Sequence, residues 1–118
     1  MKINTSISAG DFLDRLSILE IKKQNGLNVE IELNGYLVSI EKFEQVGFEA
    51  YKNILKQINE RLWILEDIKR TSVERYSTQY SNVSTLITQL NDLRHQTKKR
   101  IDLYFGSEIT EMKSHENL

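Results

Sequence analysis

Apolar residues return along this chain every three or four positions, the period of helices that bury one face. The clearest run is Tyr51, Ile54, Leu55, Ile58, Leu62 and Leu65, which predicts a helix from near Phe48 to at least Arg70. A second run, Val83, Leu86, Ile87, Leu90, Thr97, Ile101 and Tyr104, predicts a last helix closing at Phe105, with Gly106 just past its end. Thr71-Ser72 and the polar stretch from Ser77 to Asn82 separate the two, and Ser81 or Asn82 offers the side-chain oxygen that caps the last helix.

Nearer the start, Ser8 with Asp11 three residues on makes an acidic variant of the capping box, so a helix should begin near Ala9. It carries Phe12, Leu13, Leu16, Ile18, Leu19 and Ile21, a spread too wide for one stripe and expected of a helix covered on two sides. Asn25-Gly26 supplies its stop. A further helix is expected from Asn28 to about Gln45, with Leu33, Leu37 and Ile40 on one face, Tyr36 and Phe43 beside them, and Gly35 weakening its middle.

Composition narrows this further. The chain has 118 residues and no proline, the residue that long helices tolerate least. With 39% hydrophobic and 28% charged residues it reads as one domain over 1–118. That domain is an all-α antiparallel helical bundle of about four helices, with an N-terminal extension at 1–7 and a short irregular C-terminal tail at 107–118. No cysteine means no thiolate chemistry and no disulfide, and neither a secretory leader nor a membrane-length apolar stretch is evident, so a cytoplasmic location is expected.

Sixteen Lys and Arg against seventeen Asp and Glu argue against nucleic-acid binding through overall charge. The charges are unevenly placed. Residues 82–105 hold four basic and two acidic side chains, while 28–68 hold four basic and eight acidic, a polarity that suits self-association or a charged protein partner.

Asn91, Arg94 and Lys98 share a stripe of the last helix, and Glu66 and Asp67 face it from the preceding one. Joined by Asp14 and Arg15 they have the makings of a pocket for an anionic small molecule, with Arg gripping a carboxylate or phosphate; salt bridges between helices at the core edge are the plainer reading. Acidic pairs one turn apart (Asp11-Asp14, Glu41-Glu44, Glu108-Glu111) are the elements of a Mg²⁺ site if two of them meet. His95 and His115 alone offer no zinc pattern, and no nucleophile elbow or phosphate-binding glycine loop occurs, so no cofactor is expected. Trp63 and Tyr51 sit at core spacing, while the tyrosines include candidates for interface anchors.

Both ends resemble a group of small uncharacterised helical proteins of bacteria and phages. Its N-terminus reads Ser-x-Gly-acid-x-x-Asp-base-x-x-Ile-Leu-Glu-Ile-Lys, matched by Ser8, Gly10, Asp11, Asp14, Arg15, Ile18, Leu19, Glu20, Ile21 and Lys22. Further matches are Asn28-Val29, Trp63 with Glu66-Asp67, Asn91-Asp92 with Arg94, and a closing Gly106-Ser107 with Glu111, Lys113 and Ser114. Where the group has an aromatic after that last Lys-Ser, this chain has His115. The resemblance implies a mostly helical cytosolic domain and extends the polar site to the tail through Glu111 and Lys113; it implies no activity. The expected function is therefore an interaction or accessory module, self-associating as a homodimer, with a small enzyme or binding protein for a nucleotide or nucleotide sugar, Mg²⁺-dependent, as the alternative.

Overall fold

A computed structural model describes the backbone of residues 2–4, 7–43, 47–106, 108–109 and 113–117, and the side chains of 7–37 and 47–106. Four helices dominate these residues, giving the all-α fold expected: α1 (Ala9–Gln24), α2 (Glu30–Phe43), α3 (Phe48–Thr71) and α4 (Thr78–Tyr104). Short extended segments flank them, β1 (Lys2–Asn4) and β2 (Ile7–Ser8) before α1, and β3 (Glu108–Ile109) and β4 (Lys113–Asn117) after α4.

Helix ends follow local chemistry. Ser8 caps α1 by accepting a hydrogen bond from the Asp11 amide, as its spacing predicts. Gly26 and Gly106 take positive φ values of 80° and 76° just past α1 and α4, a region that costs glycine little. Helix α2 starts two residues later than expected, at Glu30, with the Val29 carbonyl accepting from the Leu33 amide. The expected cap of α4 needs correction: Ser77, not Ser81 or Asn82, accepts from the Tyr80 amide, so the polar run belongs to the first turns of the helix. Ser77, Thr78 and Ser81 are tolerated there because they are exposed or half-exposed, and just beyond them Thr85 donates its hydroxyl to the Ser81 carbonyl one turn back.

The tail, expected to be irregular, is extended and paired where it is described. β3 joins β2 with Ile7 opposite Ile109, and β4 joins β1 with Lys2 opposite Asn117, both antiparallel. The two chain ends thus satisfy each other's backbone groups.

Two apolar clusters hold the helices. Ala9, Phe12, Leu13, Leu16, Leu33, Tyr36, Phe48, Leu55 and Ile101 form the main core, drawn from all four helices. Phe12 lies 5.0 Å from Tyr36 and 6.2 Å from Phe48, ring centre to ring centre, within the range of favourable aromatic pairs. The breadth of apolar positions on α1 is explained by its place against α2, α3 and α4 together. A smaller cluster, Ile58, Leu62 and Ile87 with Leu65, Val83 and Leu90, joins α3 to α4 alone. Tyr51 near the start of α3 meets Tyr104 at the end of α4, and Lys69 near the end of α3 lies over Tyr80 near the start of α4, so these two run in opposite directions.

Candidate functional site

The N-terminal turn of α1 sits so close to α4 that only glycine fits at position 10. A Cβ there would lie 2.5 Å from the Lys98 carbonyl oxygen, and the Gly10 amide donates to Asp102 Oδ1 at 2.7 Å. One turn of backbone contact therefore fixes α1 on α4 and sets the register of everything that follows along both helices.

From that anchor, successive acids on α1 meet successive bases on α4. Asp11 pairs with Lys98 at 2.6 Å, and Asp14 receives both Nε and a terminal nitrogen of Arg94 at 2.9 and 2.6 Å, the two-pronged geometry that matches a guanidinium to a carboxylate. Asp14 is only 3% exposed, a costly place for a charge without partners. Asn59 of α3 supplies a third bond to its Oδ1 at 2.9 Å and one to Ser17 Oγ, also at 2.9 Å, while the Ser17 hydroxyl donates back to the Asp14 carbonyl. Three helices are thus tied at one carboxylate.

Electrostatics follow the geometry. Partial burial pushes the Asp11 carboxyl up, but its hydrogen bond and charge attraction to Lys98, with smaller help from Ser8 and Arg15, outweigh this and hold it below the ordinary carboxylate range. The hydrogen bonds from Arg94 to Asp14 hold the guanidinium proton more tightly than usual, against the opposing effect of burial.

Beside this node lies a cavity of about 660 Å³ between α1, α3 and α4, lined by Ile18, Ile21, Asn59, Leu62, Trp63, Glu66, Asp67, Arg70, Asn91 and Arg94. The structure thus brings Glu66, Asp67, Asn91 and Arg94 to one groove, with Asp14 directly behind Arg94; Lys98 joins the node but is not part of the wall. Arg15 lies near enough to Asp11 to act on its charge and is likewise outside the wall. Glu111 lies outside the described residues, as does the side chain of Lys113, whose backbone is in β4.

Trp63, at a core spacing in the sequence, is 38% exposed at the groove instead of buried. Of α1, Ile18 and Ile21 alone reach this groove, so the large ring is walled on one side and left uncovered by the described residues. Asn59 and Ser17 escaped the sequence reading. The available signal was an Asn on the buried stripe of α3, four residues after Leu55 and three before Leu62, where an amide needs partners.

Both carboxylates of the Asp11-Asp14 pair are engaged by cations, and among the described residues no group of three His, Asp or Glu side chains is placed to hold a metal. Glu41, Glu44, Glu108 and Glu111 have side chains outside the described residues. His95 is exposed on α4. Among the described residues no helix is long and apolar enough to cross a membrane.

On the side of the hairpin away from α1, a second cavity of about 450 Å³ is lined by Arg61, Ile64, Leu65, Leu86, Gln89, Leu90 and Leu93. Ile54, Ile64, Leu86, Leu93 and Leu103 along this side are all exposed, Ile64 by 57% and Leu103 by 84%. Compared with family models, with curated proteins and with solved structures, the chain matches none.

Proposed function

We propose that this chain is an interaction module that associates with a second copy of itself through the outer face of the α3–α4 hairpin. The observation that carries the reading is a stripe of isoleucines and leucines, interspersed with glutamine and arginine, that none of the described residues covers. Ile54, Gln57, Arg61, Ile64 and Ile68 follow a three-four spacing on α3, and Leu86, Gln89, Leu93, Gln96, Arg100 and Leu103 follow it on α4. A face of this kind is half of a four-helix bundle, and a second hairpin completes it.

Charge and area favour a second copy as the occupant. The stripe holds no acidic residue and only two charges, Arg61 and Arg100, while its glutamine amides both donate and accept, so the face can meet itself with little like-charge conflict. At a rise of about 1.5 Å per residue and helices about 10 Å apart, it measures roughly 20 by 25 Å. Two copies then bury about 1,000 Å², near the lower bound for a specific interface.

The kinship to small bacterial and phage proteins is part of this proposal; its matched residues Ser8, Gly10, Asp11, Asp14 and Arg94 are accounted for by the capping, close packing and ion pairing that seat α1. The alternative of an anionic metabolite draws no support from the groove, since Arg94 and Lys98 already face carboxylates.

Sedimentation equilibrium over a concentration series tests the reading. The expected mass rises to twice the 13.8 kDa of the chain, and the double variant Ile64→Glu/Leu93→Glu returns it to the monomer with an unchanged circular-dichroism spectrum. A wild-type chain that stays at monomer mass throughout the series refutes it.

A further inference from the structure

In the groove between α1, α3 and α4 the two wall arginines are each engaged by an aspartate. Arg94 is occupied by Asp14, and Arg70 by Asp67 at 2.6 Å. With those charges matched, Glu66 is left as the wall carboxylate that makes no ion pair among the described residues. Beside it Trp63 presents a partly exposed ring, and the amide of half-buried Asn91 makes no hydrogen bond among the described residues. Ile18, Ile21 and Leu62 supply apolar wall.

We propose that this groove binds an organic cation, an ammonium or guanidinium group on an alkyl stem. Each part of such a ligand has a complement on the wall. The charged head meets the Glu66 carboxylate and the negative face of the Trp63 ring, the two attractions that cations find in aromatic sites. An N–H of the head donates to the Asn91 carbonyl oxygen. The stem lies on Leu62 and the α1 isoleucines, where methylenes leave water. A volume of about 660 Å³ is within the range of small-ligand sites. An anion would meet Glu66 uncompensated. The site is independent of the self-association reading, because α1 lines it and takes no part in the outer face.

Trp63 is the one tryptophan of the chain, so its fluorescence reports on this groove without a label. The titrants are agmatine, which carries both head groups on one free stem, a blocked Gly-Arg-Gly tripeptide, which presents the same guanidinium as a protein side chain would, and adenosine monophosphate as the anion. A saturable change with agmatine or the tripeptide is expected, and whichever binds tighter identifies the source of the cation. Glu66→Gln should weaken it about tenfold, the equivalent of about 1.4 kcal/mol. Asp92→Asn, which removes an exposed carboxylate of α4 outside the groove, should leave it unchanged. No saturable response to either cation, an equal loss in both variants, or saturation by adenosine monophosphate instead would overturn the proposal.

Discussion

The two ends of the α3–α4 hairpin are built on the same helices and the same apolar spacing, yet they are held by different means. At one end α1 and α2 close over it, and nine residues pack into a core in which Phe12 meets both Tyr36 and Phe48. At the other, Ile58, Leu62 and Ile87 are covered by one another and by half-buried neighbours, and both outer sides remain accessible. The difference teaches that helical periodicity guarantees a seam between two helices but not a closed core. A third and a fourth layer are needed before large side chains such as Trp63 can leave water.

Truncation should expose this contrast most strongly. Phe12→Ala in the four-helix end should cost about 4 kcal/mol, read from the urea midpoint, whereas Ile87→Ala in the two-helix end should cost about 2, because its surroundings are thin enough to collapse around the gap. Equal losses would mean that the hairpin end is packed as well as the rest. Between these in mechanism lies the polar tie that joins the two ends. Arg94→Ala leaves the buried Asp14 with Asn59 and a distant Lys98, so a loss of about 2 to 3 kcal/mol is expected, discounted for the partial exposure of the guanidinium. A stability near wild type for Arg94→Ala would instead free that side chain for a ligand.

Smaller effects sharpen the same division. Ser8→Ala removes the cap that starts α1 and should cost about 1 kcal/mol, with hydrogen exchange quickening in the first turn of α1 and not at the Ser72–Ser77 turn. The pH response should also be local. The folded state holds the Asp11 carboxyl below its ordinary value, so its contribution is present above that value and fades as pH falls through the lowered one. An acid titration of stability should therefore show a step that Asp11→Asn abolishes, and an unchanged profile in that variant would place the step elsewhere.

Much of this was legible in the residues themselves. The four helices, the Ser8 cap and the Gly26 and Gly106 stops rest on side chains acting within a few positions of one another, which is why the expected and observed ends agree closely there. The α4 cap was misplaced because six polar residues in a row give several equivalent capping oxygens, and only the course of the turn selects Ser77. For the site, Asp14, Arg94 and Lys98 were recognisable as charges at helical spacing, while their choice of each other over a ligand was not. Asn59 and Ser17 were passed over because an amide or hydroxyl on a buried stripe declares itself only when its partner, 42 to 45 residues away, is known.

The sequence alone thus determined the helical class, the helix ends made by neighbouring residues, and which faces are apolar, since all three depend on interactions of a few positions' range. Tertiary structure decided which acid meets which base, where the apolar faces are covered and where they stay open, and that Trp63 lines a groove. Those outcomes depend on how α1 seats against α4 at Gly10, a contact between residues about ninety positions apart that no local pattern encodes.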